Sequence, residues 1–431
     1  MLLQRKGMNF VREALRTTDT ARQVVARCQK LARFSEDATS TRRTFLSAPM
    51  RDCHEEIARW MKAAGAEVRV DAAGNLRGLY PAAQSNAPRL LLGSHLDTVP
   101  NAGAYDGVLG VVLAVTLLEA LDGKRLPFGM EVVGFSEEEG VRFGTPFIGS
   151  RALVGRLDQE ILNRRDANGI SVRAAIEDYG LNPAEIPAAA LKDDSFAYLE
   201  FHIEQGPVLE ALGRPLGAVE AITGQTRMEL RFSGRANHAG TTPMHLRHDA
   251  IAGAAEWISA VERLAKGDTD LVATVGRVEA KPGAINVIAG EALLSLDLRH
   301  KSDELRARTQ GVLVQKAEEI AQRRALSVQS RVLLDQRAVA MDAFLVGQIE
   351  ESIRKTGCQP HRMVSGAGHD AMIIAEKIPA AMIFLRTPGG ISHDPAESVE
   401  IEDVAKALEC GLHLLDQIAS SSELPKRMCR A

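Results

Sequence analysis

Leu90-Leu91-Leu92-Gly93-Ser94-His95-Leu96-Asp97-Thr98, with Tyr105-Asp106-Gly107 shortly after it, is the stretch that decides the fold. An apolar run that ends in a His and a carboxylate reads as a buried strand delivering polar groups at its carboxyl end. The residues from Gly107 to Leu121 are apolar nearly all round, which predicts a buried helix starting just after Asp106. Three more segments repeat the arrangement. Phe135-Ser136-Glu137-Glu138-Glu139-Gly140 closes the run from Met130 to Phe135, and His202-Ile203-Glu204-Gln205-Gly206 closes the run from Phe196 to Phe201. Ser392-His393-Asp394-Pro395 follows the run from Ala380 to Leu385 across a Gly-rich loop. Ligands of open α/β sheets bind beyond the carboxyl ends of the strands. Four such ends carrying His, Asp and Glu therefore predict one convergent site. Strands alternating with helices predict an α/β domain whose mostly parallel sheet is covered by helices.

Between Ala221 and Gln336 the pattern changes. Thr226 to Phe232 alternates, with Met228, Leu230 and Phe232 on one side and Arg227, Glu229 and Arg231 on the other, as in a half-buried antiparallel strand. From Asp249 to Lys266, Ile251, Ala254, Ile258, Val261 and Ala265 recur at helical spacing. Strands near 271–278 and 292–299, a helix capped by Ser302 and a strand near 326–334 complete the order β-α-β-β-α-β. That order is a ferredoxin-like α+β unit. It predicts a catalytic domain in two parts, 1–220 and 337–431, split by an inserted domain, 221–336.

Composition narrows the class. A length of 431 residues is enough for two domains, and a net charge of −4 offers nothing to nucleic acid or an anionic membrane. Every apolar stretch is interrupted before the roughly 18 residues of a membrane span. Cys28, Cys53, Cys358, Cys410 and Cys429 form no Cys-x-x-Cys pair, as expected of reduced thiols in a cytoplasmic protein. The N-terminus has no secretory apolar segment. Its Arg-rich stretch from Arg5 to Arg33, interrupted by Glu13 and Asp19, reads as the solvated face of a first helix.

The polar residues fit a pair of divalent cations about 3.5–4 Å apart, each needing about three protein ligands and an open position. His95, Asp106, Glu139, His202 and His393 supply five ligands, and a bridging Asp106 gives three to each cation. Imidazole and carboxylate suit zinc, manganese, cobalt or nickel. Asp97 is then expected to accept the second ring N–H of His95. Glu138, beside the ligand Glu139 but pointing elsewhere, is placed as general base. Each piece alone has a plain reading: a capping pair, a solvated acidic run, a satisfied histidine. Their recurrence at four strand ends is what carries the metal reading. His238, in Asn237-His238-Ala239-Gly240-Thr241, is either a loop hydrogen-bonding group or a functional one. His369 and Asp370 are expected to line the site without ligating.

These motifs together resemble the amidohydrolase (hydantoinase/carbamoylase) branch of the dinuclear aminoacylase/carboxypeptidase superfamily. The resemblance rests on Ser94 to Pro100, Asp106 to Gly110, Glu138 to Phe143, His202 to Glu210, Asn237 to Met244, Gly283 to Ile288 and Gly390 to Glu397. That branch contains allantoate amidohydrolase, N-carbamoyl-L-amino acid hydrolase and β-ureidopropionase. The resemblance implies a metallo-exopeptidase-like catalytic domain with an inserted lid and dimerisation domain. It implies that His95, Asp106 and His202 hold one metal, that Asp106, Glu139 and His393 hold the other, and that Glu138 is the base. It further implies that Gln205 and Gly390 contact a small ureido-acid substrate, that Asn286 and Arg299 bind its carboxylate, and that His238 polarises the scissile carbonyl in the partner subunit of a homodimer. Arg386, before the Gly389-Gly390 loop, points to allantoate and its second ureido arm, a step of purine breakdown. An aminopeptidase or aminoacylase of the same fold is a rival, but such peptidases usually carry a carboxylate where His202 stands. A non-catalytic dimeric binding protein is a second rival; it would be expected to lack a ligand or the base, and none is missing.

Overall fold

The computed structural model describes residues 17–421. The Arg-rich segment before Thr17, with Glu13, and Cys429 lie outside the described residues. Contacts divide the chain into two compact units: one comprises residues up to Glu220, Met341–Met363 and His369 onward, the other Ala221–Ala340 with Val364–Gly368.

The first unit opens with α1 (Thr17–Ala32), α2 (Ala48–Ala63) and the hairpin β1 (Glu67–Val70) and β2 (Leu76–Tyr80). In α1 the buried stripe is Ala21, Val24, Cys28 and Leu31. Arg27 departs from the expected solvated face: it pairs with Glu119 through two 2.8 Å bonds and lies over the Trp60 ring at 4.7 Å. Then come β3 (Arg89–His95), α3 (Val108–Ala120), β4 (Gly129–Phe135), the short helices α4 (Ile148–Leu153), α5 (Gln159–Asn163) and α6 (Val172–Asp178), and β5 (Ser195–Ile203). A single turn, α7 (Val208–Ala211), leads to β6 (Leu216–Ile222).

The second unit follows: β7 (Gly224–Ser233), β8 (Asn237–His238), α8 (Ala250–Ala265), β9 (Val272–Thr274), β10 (Val278–Lys281), β11 (Val287–Ile288), β12 (Glu291–His300), α9 (Asp303–Arg323), β13 (Ser327–Gln336) and β14 (Val339–Ala340). Its main sheet runs β10-β12-β7-β13 with antiparallel neighbours, the ferredoxin-like order. The inward side chains Met228, Leu230 and Phe232 of β7 and Leu294, Leu296 and Leu298 of β12 pack on Trp257 of α8 and Leu313 and Ile320 of α9. The Trp257 indole N–H donates to the Leu313 carbonyl at 2.9 Å, which ties the two helices together. The single strand expected near 271–278 is instead two, β9 and β10, both paired to β12. Thr274 faces Asp297 and Val278 faces Leu294, so residues 275–277 oppose only 295–296. One extra residue makes a β-bulge, held by Arg277 N donating to Ser295 Oγ at 2.9 Å.

The chain returns through α10 (Ala343–Lys355), β15 (Arg362–Ser365), α11 (Asp370–Ile374), β16 (Ala380–Leu385) and α12 (Ile401–Ser420). Val364–Gly368, taken from the sequence as catalytic, groups with the second unit, where Thr223 N donates to Ser365 O at 2.9 Å and Arg299 donates to Gly366 O.

The large sheet is ordered β1-β2-β4-β3-β5-β16-β6. Its centre, β4-β3-β5-β16, is parallel, and β1, β2 and β6 are antiparallel additions. Central strands buried on both faces explain why their sequences are continuous apolar runs. From Val108 to Leu118 every residue of α3 is buried. At Gly110 an added Cβ would stand 2.1 Å from the Phe201 carbonyl oxygen, so a side chain there would push α3 off β5. No described helix is long and apolar enough to cross a membrane.

Candidate active site

The four polar motifs leave four adjacent parallel strands at the same end, which brings their side chains together. His95 ends β3, Glu138 and Glu139 follow β4, His202 lies near the end of β5, and His393 follows β16. His95, Asp106 and His202 offer ligand atoms within 4.8 Å of one another, and so do Asp106, Glu139 and His393. Asp106 belongs to both groups through different oxygens. Its Oδ1 lies 3.3 Å from His202 Nε2 and 3.8 Å from His95 Nε2. Its Oδ2 lies 3.1 Å from His393 Nε2, which is 3.6 Å from Glu139 Oε1.

Hydrogen bonding sets the imidazoles for ligation. His95 Nδ1 faces the Asp97 carbonyl oxygen at 3.0 Å, and His202 Nδ1 faces the Ile203 carbonyl oxygen at 2.9 Å. A ring nitrogen facing a carbonyl must carry a proton, which leaves Nε2 as the atom that each ring can offer to a cation. Those two Nε2 atoms face each other at 3.4 Å, beside a carboxylate. Two imidazole nitrogens and a carboxylate oxygen converging on one place are a set of cation ligands. The donor set thus fits a borderline divalent metal.

The charge balance has the same sense. Burial pushes Glu139 up to about 7, with Asp106 and Asp97 adding to the rise. Burial, then Glu139, Asp370 and Asp97, holds Glu138 well above the usual carboxylate range. Burial alone would lower His95, but Asp97, Glu138 and Asp106 raise it well above an ordinary imidazole. Negative charge gathered this closely is complementary to cations.

Asp97 behaves differently from its expected role. The ring N–H of His95 goes to the main-chain carbonyl of Asp97, and the nearest carboxylate oxygen is 3.5 Å away. The carboxylate instead accepts from the backbone N–H groups of Glu138 at 2.9 Å and Glu139 at 3.0 Å. It therefore orients the turn that presents both glutamates, which residue spacing alone does not reveal. Glu397, unremarked within its motif, has the same function for Asp106. Its Oε1 accepts from Tyr105 N at 2.8 Å and Asp106 N at 3.1 Å. Gly107 is required beneath His95: at φ +65° an added Cβ would lie 2.4 Å from the imidazole Nε2. Glu200, two residues before His202, accepts from Ser94 Oγ, Tyr198 OH and Ala371 N under the site. The His369 ring packs edge-on against His202 with centroids 4.4 Å apart.

Gln205 donates from Nε2 to both Asp106 oxygens, at 3.1 and 3.0 Å, and its buried Oε1 has no hydrogen-bond partner. Gly390 donates its N–H to Thr387 O at 2.9 Å and lies against Gly206 and Pro207. Arg386 is not free for substrate: its guanidinium grips Asp403 at 2.7 and 2.9 Å. In the second unit, His238 and Asn286 are exposed. His238 Nδ1 accepts from Gly240 N at 3.1 Å and Thr241 N at 3.2 Å, which puts the imidazole proton on Nε2. The fork of Arg299, expected to be open for a substrate carboxylate, is held by Asp297 at 2.7 and 3.0 Å, and its remaining terminal nitrogen donates to Gly366 O.

An α/β sheet with histidines and acids gathered at its parallel strand ends defines a metal-dependent hydrolase. The chain belongs to peptidase family M20/M25/M40, which matches residues 91–417. Within it, the chain is an amidohydrolase of the hydantoinase/carbamoylase branch. It is 39% identical over 382 residues to an N-carbamoyl-L-amino acid amidohydrolase of Geobacillus stearothermophilus, covering 88% of this chain and 93% of the relative. It is 38% identical over 432 residues to an allantoate deiminase of Arabidopsis thaliana, covering 92% and 82%. The crystal structure of a hydantoinase/carbamoylase family amidase from Burkholderia multivorans superposes with a TM-score of 0.88 at 29% identity, covering 93% of this chain and 98% of that one.

Replacing Asp97 by Ala would orphan two backbone donors, one of them on the buried Glu138. Each orphaned buried donor costs about 1–3 kcal/mol. Asp97→Ala is expected to lower the midpoint of thermal unfolding and the metal content of the purified protein together, and Asp97→Asn, which keeps an acceptor, to lower both less. Full metal content in Asp97→Ala would show that the clamp does not position the acidic turn.

Proposed function

We propose that the chain hydrolyses the ureido C–N bond of a linear ureido acid, with allantoate as substrate and ureidoglycine, ammonia and carbon dioxide as products. The observation that supports a two-metal site is Asp106, whose two oxygens face two separate sets of donors. His95, Asp106 and His202 would hold one divalent cation, zinc or manganese, and Asp106, Glu139 and His393 the other. Bound there, the cations would polarise the scissile carbonyl and make a water molecule acidic at neutral pH.

The chain's own groups do the rest. Glu138, a buried carboxylate beside the five-ligand set but outside it, accepts the proton of the attacking water and returns it to the leaving nitrogen. The unpartnered Oε1 of Gln205 is an acceptor for a ureido N–H. The Nε2–H of His238 is a donor for the carbonyl oxygen as negative charge develops on it. In this reading His238 serves the partner subunit of a homodimer formed through the inserted domain. Asn286 and the outer N–H groups of Arg299 meet the substrate carboxylate, with Asp297 holding the guanidinium in place.

A second reading, N-carbamoyl-L-amino acid hydrolysis, is favoured by one specific observation: with Arg386 committed to Asp403, the side chain assigned to a second ureido arm is spoken for. The test offers the manganese- or zinc-loaded protein allantoate, N-carbamoyl-L-amino acids and dipeptides, with ammonia and free amine measured. A specificity constant highest for allantoate is expected. A clear excess for a carbamoyl amino acid would make the enzyme a carbamoylase, and turnover of dipeptides alone would overturn the ureido reading. On the best substrate, Glu138→Gln is expected to keep its metal and lose on the order of a hundredfold or more in kcat, the range for a general base. Loss of one metal equivalent instead would mean that Glu138 is a ligand.

The placement of His238 has its own test. Neither His238→Ala nor Glu138→Ala should be active alone, and heterodimers of the two should recover activity, since one composite site is intact in each. Unrecovered activity after verified subunit exchange would assign His238 to its own subunit or to the loop.

A further inference from the structure

The first unit carries a second cleft, of about 470 Å3, lined by none of the five candidate ligands. Its walls include Gln29 and Arg33 from the end of α1, Asp37 and Ser40 from the following loop, and Tyr105 and Glu397. Two opposite charges line it without pairing. Among the described residues, the Arg33 guanidinium has no ion pair or hydrogen bond. Among those residues, the Asp37 carboxylate meets only the Ser40 hydroxyl, at 3.5 Å. A cleft that offers one free guanidinium and one free carboxylate is complementary to a molecule carrying both charges.

The floor of the cleft connects to the candidate active site. Glu397 is buried and holds the Tyr105 and Asp106 amides on Oε1. Its Oε2 accepts from Ser392 Oγ at 3.2 Å, and that same hydroxyl lies 3.2 Å from Asp106 Oδ2. Gly103 presses so closely on Glu397 that an added Cβ would stand 2.5 Å from its Oε1. A ligand that displaces Tyr105 or Glu397 must therefore move the backbone that carries Asp106.

We propose that this cleft is a regulatory site for a small zwitterionic α-amino acid, with its carboxylate on Arg33 and its ammonium on Asp37, and that its occupancy slows turnover through Glu397. The natural ligand class rests on the proposed reaction. Cleaving the ureido group from an α-carbon that bears a carboxylate leaves an amine on that carbon, so allantoate and a carbamoyl amino acid both yield an α-amino carboxylate. The enzyme would then sense its own class of product at a place apart from its chemistry.

The test titrates the metal-loaded full-length protein with glycine by calorimetry, with acetate and methylammonium as half-ligands, in wild type, Arg33→Gln and Asp37→Asn. Both positions are on the surface and outside the catalytic machinery, so folding and uninhibited turnover should be unchanged. Saturable glycine binding is expected, with the half-ligands far weaker. Each substitution should weaken glycine by roughly tenfold or more, the loss of one charge-assisted contact. In wild type, glycine should lower kcat, and in the variants only competition at the metals should remain. Absent glycine binding, or binding and inhibition untouched by both substitutions, would overturn the proposal. The titration needs no substrate, so an enzyme that turned over no ureido acid would sink the proposed reaction while the cleft was still tested.

Discussion

Asp106 is the constraint on which the rest of the site depends. One carboxylate must reach two sets of donors, so its backbone has to be held to within a fraction of an ångström. Glu397 fixes the amide of Asp106, Ser392 and Gln205 hold its carboxylate, and Gly107 lets α3 begin directly beneath His95. The buried helix that follows seats this loop on the sheet, so the packing of α3 against β5 and the position of Asp106 are one problem. A sheet with parallel central strands solves it by ending four neighbouring strands at the same edge.

The cost of this arrangement is electrostatic. Asp97, Asp106, Glu137 and Glu138 are buried together with Glu139 beside them, and the charge of Arg142 acts on Glu137 at the cluster's edge. Isolated buried charge is expensive, and such groups answer by taking up protons. Glu138 and Glu139 shift upward, whereas the hydrogen bond to His393, with His202 and His95 beside it, holds Asp106 below the usual carboxylate range. Cations at the two donor sets would return those carboxylates to their charged form, so metal uptake and local order are coupled. Away from the site, Arg77 and Arg89 pair with the buried Glu131.

Much of this was legible in the sequence because strand ends leave a local signature. An apolar run followed by His or Glu is visible without knowing the strand order, and the alternation in β7 and the cap at Ser302 are equally local. What escaped was non-local pairing. Asp97 seemed to belong to His95 two residues away, but its carboxylate serves amides forty residues on, across the β3–β4 pairing. Glu397 reaches Asp106 from nearly three hundred residues away. Arg386 looked available because Asp403, which binds it, lies on the next helix. The division of the strand near 271–278 turned on one extra residue opposite Ser295, a matter of register that alternation does not encode.

Hydrogen-bond polarity then says more about the reaction than the ligand set does. Peptide and ureido carbonyls make the same demand on cations, a base and a donor for the developing oxyanion. They differ in what surrounds the carbonyl: a terminal ureido group adds an NH2 that can only donate to the enzyme. Beside Asp106 stands an amide side chain whose two ends are distinguished. Gln205 spends its NH2 on the Asp106 carboxylate, which leaves its carbonyl end as a buried acceptor with no partner among the described residues. A glutamate could not take this position without setting a further negative charge against Asp106. The same reasoning applies to His238, where two backbone donors at Nδ1 leave Nε2–H as the outward group. Each of these two side chains has its polarity fixed by its own neighbours.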